Sequence, residues 1–207
     1  MKLLVVGAGG HGRVVADIAA SDPDWTEIAF LDDRIPVGST SGAWKVAGTI
    51  PELATLSTRF DACVAALGDA RLRLEHLGRA RAAGYRVPVL MHARAAVSSR
   101  ARLAEGVVVC AGAIVNIGAV VAGGCIVNSG ATVDHDCRLE EGVHVCPGSH
   151  LAGNVSIGAR SWFGIGAVAK QGIRIGADVT VGAGAVCLEN VPDGVTVFGV
   201  PAREMRP

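Results

Sequence analysis

The stretch Val115–Val133, "VNIGAVVAGGCIVNSGATV", decides the fold. Within it Val115, Val121, Val127 and Val133 recur every six residues, and Gly118, Gly124 and Gly130 each fall three places after one of them. A period of six fits neither an α-helix, at about 3.6 residues per turn, nor a simple amphipathic strand, at about 2. The register extends in both directions without a slip. Val97, Leu103 and Val109 precede this stretch; Leu139, Val145, Leu151, Ile157, Phe163, Ala169, Ile175, Val181 and Cys187 follow it. Glycine keeps its place at 106, 112, 142, 148, 166, 172 and 184, and small residues such as Ala113, Ala119, Cys125, Ala131, Cys137, Ser149, Ser161, Ala167 and Ala185 come next. Such a pattern predicts short strands joined by tight turns, where glycine takes backbone conformations that side chains resist. Three strands make a triangular coil of 18 residues, and positions 97 to 187, 91 residues in all, give about five coils. Successive coils stack about 4.8 Å apart through parallel ladders. A low-complexity linker would not hold that register.

Composition agrees. The 207 residues include 28 Gly but only four Phe and one Tyr, the balance of an aliphatic repeat core. Lys plus Arg equals Asp plus Glu, at 19 each, so no basic field points to nucleic acid or an anionic membrane. The apolar run Leu3 to Gly7 is too short for a signal peptide, and no stretch has the length of a membrane span. The expected location is the cytoplasm. Six cysteines, at 63, 110, 125, 137, 146 and 187, form no CxxC pair and are expected as small buried residues.

Residues 1–92 have a different texture and are expected to form a separate α/β domain, with 93–207 forming the repeat domain and a short C-terminal tail. Strands are predicted at Lys2 to Val6, Glu27 to Leu31, Phe60 to Leu67 and Tyr85 to Met91. Helices are predicted from about Val14 to Ala20 and Ala70 to Ala83, with a loop from Asp33 to Trp44. Strand–helix alternation argues a small Rossmann-like parallel unit. Gly7, Gly9 and Gly12 satisfy G-x-G-x-x-G between a strand and a helix, and Asp32 follows twenty residues after the last of them. That arrangement offers backbone N–H groups and a helix N-terminus to a diphosphate, and a carboxylate to a sugar hydroxyl. The unit is short for a full dinucleotide fold, and a diphosphate-linked sugar offers the same two handles as NAD.

The six-residue pattern resembles the hexapeptide-repeat acyltransferases, and the segment Phe198-Gly199-Val200-Pro201-Ala202-Arg203 resembles the end of many members. That resemblance implies a left-handed parallel β-helix and a homotrimer with active sites between subunits. GAGGHG at Gly7–Gly12, FLDD at Phe30–Asp33 and LGD at Leu67–Asp69 with Arg73, followed by the repeats, resemble one branch across nearly the whole chain. This branch holds bacterial acetyltransferases of nucleotide-linked 4-amino sugars and of sialic acid. It implies acetyl-CoA as cosubstrate, no tightly bound cofactor and no metal. Gly7, Gly9, Gly10, His11, Asp32, Asp33, Gly68, Arg73 and Asn128 would hold the nucleotide sugar. His144, Gly153, Ile165 and Ala183 would hold acetyl-CoA, the last a position where the family often has Gly.

The same resemblance gives a reason for Val133-Asp134-His135-Asp136-Cys137, a polar cluster in an apolar run. His135 stands where the family has its general base, and Asp136 where a carboxylate raises that base's proton affinity. An amine or hydroxyl attacking a thioester must lose a proton, and an imidazole accepts it well at neutral pH, worth roughly 10²–10⁴-fold. Gly153 lies 18 residues after His135, one coil away, where a bare backbone N–H can donate to the thioester carbonyl. Of the remaining histidines, His150 is expected to be buried and structural, His76 to be a solvated helix residue, and His92 to sit at the hinge. The favoured activity is N-acetylation of a GDP-perosamine-type or UDP-4-amino-sugar-type substrate. The alternatives are O-acetylation of sialic acid or another sugar, a zinc carbonic anhydrase, and a non-catalytic nucleotide-sugar sensor. The zinc enzyme needs three convergent histidines, and neither His144 nor His150 lies 18 residues from His135.

Overall fold

A computed structural model describes residues 1–205. The chain forms a Rossmann-like α/β unit followed by a left-handed parallel β-helix. In the first unit β1 (Lys2–Val6), α1 (Gly10–Ala20), β2 (Glu27–Leu31), β3 (Thr40–Ser41), β4 (Trp44–Gly48), β5 (Ala62–Ala65) and α2 (Ala70–Ala82) follow one another. The sheet order is β3-β4-β2-β1-β5, parallel except for the β3–β4 hairpin. Leu3, Val5 and Val64 bury one face of the sheet together with Val15 and Ile18 of α1. Leu4, Val6 and Cys63 bury the other together with Leu77 and Ala80 of α2.

Several expectations need correction here. Helix α1 starts at Gly10 rather than near Val14, because Gly12 packs so close to the Gly7 carbonyl that a Cβ there would overlap it. Low helix propensity at Gly10 and Gly12 is overridden by that strand-to-helix contact. The strand expected from Phe60 to Leu67 is the shorter β5, and only Leu90–Met91 of Tyr85 to Met91 is a strand. Arg86 makes an isolated bridge to Ala62. The expected loop after Asp33 contains β3, and its last residue, Trp44, opens β4.

The β-helix has three faces. The first runs up through Leu90–Met91, Val108–Val109, Ile126–Val127, His144–Val145, Trp162–Phe163, Thr180–Val181 and Thr196–Phe198, and Arg203–Glu204 closes it antiparallel. It begins just before the expected domain boundary. The second face holds Ala96–Val97, Ile114–Val115, Thr132–Val133, His150–Leu151, Val168–Ala169 and Val186–Cys187. The third holds Arg102–Leu103, Val120–Val121, Arg138–Leu139, Ser156–Ile157 and Arg174–Ile175. Neighbouring rungs pair 18 residues apart, as in Ile114 with Thr132. Each hexapeptide sends two side chains inward. From Val109 on, the six-residue positions and the small residues four places later form one continuous core with almost no exposure.

The turns explain the glycines. Ten of them, from Gly106 to Gly184, have positive φ, and four non-glycines that replace glycine in the register, Asp136, Asn154, Arg160 and Asp178, share it at 54° to 61°. A left-handed residue with a Cβ costs about 1–2 kcal/mol, so those four are held there by their surroundings.

The α/β unit covers the lower half of the first face. Val108 and Ile126 point outward from the β-helix and yet are 1% and 0% exposed. Their counterparts on the open faces, Ile114 and Arg138, are exposed. Helix α2 rests on the turns at Gly106, Gly124 and Gly142 through Leu74 and Leu77. Arg71 of α2 reaches Asp178 at 2.7 Å, and Arg160 pairs with the same carboxylate.

Candidate functional site

His135 occupies the turn between the second and third faces. Its Nδ1–H donates to Asp136 Oδ2 at 2.9 Å, which fixes the tautomer and leaves the Nε2 lone pair as the base. A Cβ on Gly153 would overlap that Nε2, so glycine here makes room for the imidazole. One coil below, a Cβ on Gly118 would overlap Asp136 Oδ1. The pair is therefore seated between two glycines of adjacent coils. Asp134, to which no role was assigned from the sequence, accepts from Asn116 Nδ2 at 2.8 Å and from the His135 N–H at 2.7 Å, anchoring the backbone of the base. Asn116 lies 18 residues before Asp134 in the chain, the signal that could have found it. The Asp136 hydrogen bond is the largest influence and, with the smaller Asp134 and Asp136 charges, outweighs desolvation and raises the pKa of His135 above the ordinary imidazole value.

A second cluster lies under the first face, where it meets the glycine loop. His144 is 6% exposed, edge-on to Trp162 at 4.4 Å between ring centroids, and stacked on His11 at 6.2 Å. Asn128 Oδ1 accepts from the Ser129 N–H at 2.8 Å, so its Nδ2 donates to His144 Nε2 at 3.0 Å. His144 is then the Nδ1–H tautomer, and that N–H is buried without a partner among the described residues, as is His11 Nε2. Burial, then the Arg73 charge, then His11 push the pKa of His144 down to about 3. Burial and Arg73 take His11 to about 4. Both stay neutral at working pH. Unpaired buried donors are costly, and a ligand acceptor would satisfy this one.

Above the glycine loop opens a cavity of about 500 Å³ lined by Gly7, Gly9, Gly10, His11, Asp32, Asp33 and Gly68, with Arg34, Ile50, Leu72 and His76. A Cβ at Gly9 or Gly10 would meet nothing within 4 Å, so the protein's own packing does not demand glycine there; approach of a ligand to the helix N-terminus would. Asp32 already accepts from the N–H groups of Ala8, Arg34 and Ile35 at 2.8 to 3.1 Å. Burial pushes its pKa up, but these bonds prevail and lower it. It holds the loop in shape. Asp33 accepts from the Ile50 N–H at 2.8 Å.

Arg73 does not reach the cavity. It is 1% exposed and donates to the carbonyls of Leu67, Gly68, Gly124 and Gly142 at 2.6 to 2.9 Å, bolting the cavity rim to the β-helix. The expectation of a nucleotide contact fails because its donors are turned inward. His76 is buried against the cavity rather than solvated, and His150 is exposed, bonded at Nδ1 to Thr132 Oγ1. Ile165 is 59% exposed and Ala183 is exposed one coil above it, in the turns between the first and second faces. The base, the His144 cluster and the Ile165 column thus lie at different places around one coil. All six cysteines are free and buried, with thiol pKa values pushed up to about 11 or 12 by burial. Among the described residues no group of three or more His, Cys, Asp or Glu could hold a metal.

Residues 2–79 match the family model described as the PglD N-terminal domain. The whole chain is similar to the acetyltransferase domain of PglB from Neisseria gonorrhoeae FA1090, at 45% identity over 99% of each chain with a TM-score of 0.96. That domain has also been solved in complex with acetyl coenzyme A. A histidine-to-asparagine variant of perosamine N-acetyltransferase from Caulobacter crescentus, in complex with CoA and GDP-perosamine, is 36% identical over 100% of this chain and 98% of its own, with a TM-score of 0.95. Among curated proteins, galactoside O-acetyltransferase from Lactococcus lactis is 34% identical over 59 residues, 28% of this chain and 28% of its own length.

Proposed function

Because the chain belongs to the hexapeptide-repeat sugar acetyltransferases, we propose that it transfers acetyl from acetyl-CoA to the 4-amino group of a nucleotide-diphosphate-linked sugar of the GDP-perosamine or UDP-4-amino-sugar type. The observation that carries the reading is the His135–Asp136 pair, with its Nδ1 tied to carboxylate and its Nε2 beneath Gly153. The amine nitrogen attacks the thioester carbonyl while Nε2 takes its proton. The N–H of Gly153, which finds no acceptor among the described residues, donates to the oxygen as charge develops. Collapse of the tetrahedral intermediate forms the amide, breaks the C–S bond and returns the proton from His135 to the departing CoA thiolate. Acetyl-CoA is already activated, so no covalent enzyme intermediate is required.

The cavity over Gly9 and Gly10 takes the diphosphate of the acceptor, with Gly7, His11, Asp32, Asp33 and Gly68 around it and Asn128 below. Asp32 acts there by shaping the loop. The His144 Nδ1–H serves a bound acceptor atom, and the Ile165–Ala183 column takes the pantetheine arm. His135 is separated from His144 and Ile165 around the coil, which favours a homotrimer in which the base of one subunit faces the cavity and thioester groove of its neighbour. Residues 1–92 and 93–207 divide these two tasks. Among the described residues no helix is long and apolar enough to cross a membrane, and this reading assigns the enzyme to the cytoplasm.

The 59-residue match to galactoside O-acetyltransferase favours O-acetylation of sialic acid or another sugar hydroxyl as the second reading. Free-CoA release with GDP- and UDP-linked 4-amino sugars, their 4-hydroxy counterparts and free sialic acid separates the two. Rapid release with one amino sugar, cut at least about 10²-fold in His135→Ala, is the expected result. Turnover with hydroxyl acceptors alone would move the activity to O-acetylation, and a fully active variant would remove His135 from the mechanism.

A further inference from the structure

Trp162 stands where the two halves of the proposed site meet. Along the outward column of the first face, Val108, Ile126 and His144 are at most 6% exposed beneath the α/β unit. Trp162, the next residue up, emerges to 39% exposure, and Thr180 above it is exposed. The indole is held on two sides. It meets His144 edge-on at 4.4 Å, and it lies against the cavity rim, where a Cβ on Gly68 would come within 3.9 Å of its Cζ3. The rest of the indole is exposed, Gly68 beside it lines the glycine-loop cavity, and Ile165 follows three residues on. A large aromatic fixed by its neighbours and half open to solvent is a rigid apolar surface offered at no cost in side-chain freedom on binding.

We infer that the open face of Trp162 is the platform on which the sugar ring of the nucleotide-linked acceptor rests, and that it selects for that sugar. The inference builds on the function proposed above and assigns the part of the substrate that this function leaves without a partner. Gly9, Gly10 and Gly68 line one cavity, so a hexose attached to a diphosphate held over the two glycines can extend along the Gly68 rim to the indole. The C–H face of a pyranose packs well on an indole. Proximity to Gly68, a cavity residue, is what favours the acceptor sugar over the pantetheine arm.

Calorimetric titration tests this with UDP, GDP, GDP-perosamine and a UDP-linked 4-amino sugar against wild type, Trp162→Ala and Trp162→Phe. The expected result is unchanged affinity for the bare nucleotide and about tenfold weaker binding of its sugar conjugate in Trp162→Ala. Trp162→Phe should recover most of that loss, and the KM for acetyl-CoA should not change. Equal affinity of wild type and Trp162→Ala for the conjugate overturns the platform, as does an equal loss for the bare nucleotide, which would mark a residue that only shapes the cavity. A raised KM for acetyl-CoA alone overturns it in favour of the thioester groove. Failure of wild type to bind any conjugate overturns the functional reading itself, and this inference with it.

Discussion

His135 is flanked in sequence by two carboxylates that do different things. Asp136 bonds the ring at Nδ1 and is the main cause of its raised proton affinity; Asp134 holds the backbone N–H and adds its charge. The base works only when neutral, so activity should fall on the acid side with a midpoint above the ordinary imidazole value of about 6.5. Asp136→Asn removes the largest cause of the shift. Its acid limb should move down toward about 6.5, and its plateau should drop by about tenfold or more because the tautomer is no longer held. A profile of CoA release from about pH 5 to about pH 9 reads both effects, and an acid limb that stays in place in the variant would show that another group titrates. At this scale the sequence was legible wherever an 18-residue offset applied. Gly118 under Asp136, Asn116 beside Asp134, Gly153 over His135 and Trp162 over His144 are all such pairs. Arg73 and His76 obey no such offset. Their surroundings come from the docking of α2 on the β-helix, which no local pattern encodes.

Among secondary-structure elements, the repeat makes its own positions comparable, and that permits a controlled substitution. Gly124 and Gly148 share the left-handed turn conformation, at φ 66° and 64°. A Cβ at Gly148 meets nothing within 4 Å, whereas at Gly124 it would come within 2.9 Å of both Leu74 Cδ2 and Leu77 Cδ1. Ala at either place incurs the conformational cost of about 1–2 kcal/mol. At Gly124 the overpacked α2 contact should add roughly 1–3 kcal/mol. Denaturant midpoints of Gly124→Ala and Gly148→Ala measure the difference, and equal losses would mean that α2 yields without resistance. Strands β1 and β2 were readable as dense apolar runs and α2 as a long helix, and β4 was not. Its residues Trp44–Gly48 carry a lysine and a glycine and follow a turn-rich segment, so their pairing with β2 depends on tertiary contact rather than on a local signal.

On the scale of the whole molecule, three histidines lie at or near the junction between the α/β unit and the β-helix with proton affinities depressed by burial first and by a nearby arginine second. His11 is lowered to about 4, His144 to about 3, and His76 in the same direction. In the unfolded chain each returns to the ordinary value of about 6.5. Below that pH the unfolded state binds protons that the folded state refuses, so stability is fully present above about 6.5 and declines as the pH falls toward the folded values. By pH 5 the loss should be roughly 2 kcal/mol for each of His11 and His144. Because both rings are stacked across the junction, that loss should weaken the seating of the α/β unit on the first face. Replacing His144 with Phe keeps an aromatic ring against Trp162 and removes one titrating group. Stability measured by denaturant unfolding at pH 7, 6 and 5 should then fall less steeply in His144→Phe than in wild type. Identical slopes would mean that His144 does not carry the acid sensitivity assigned to it.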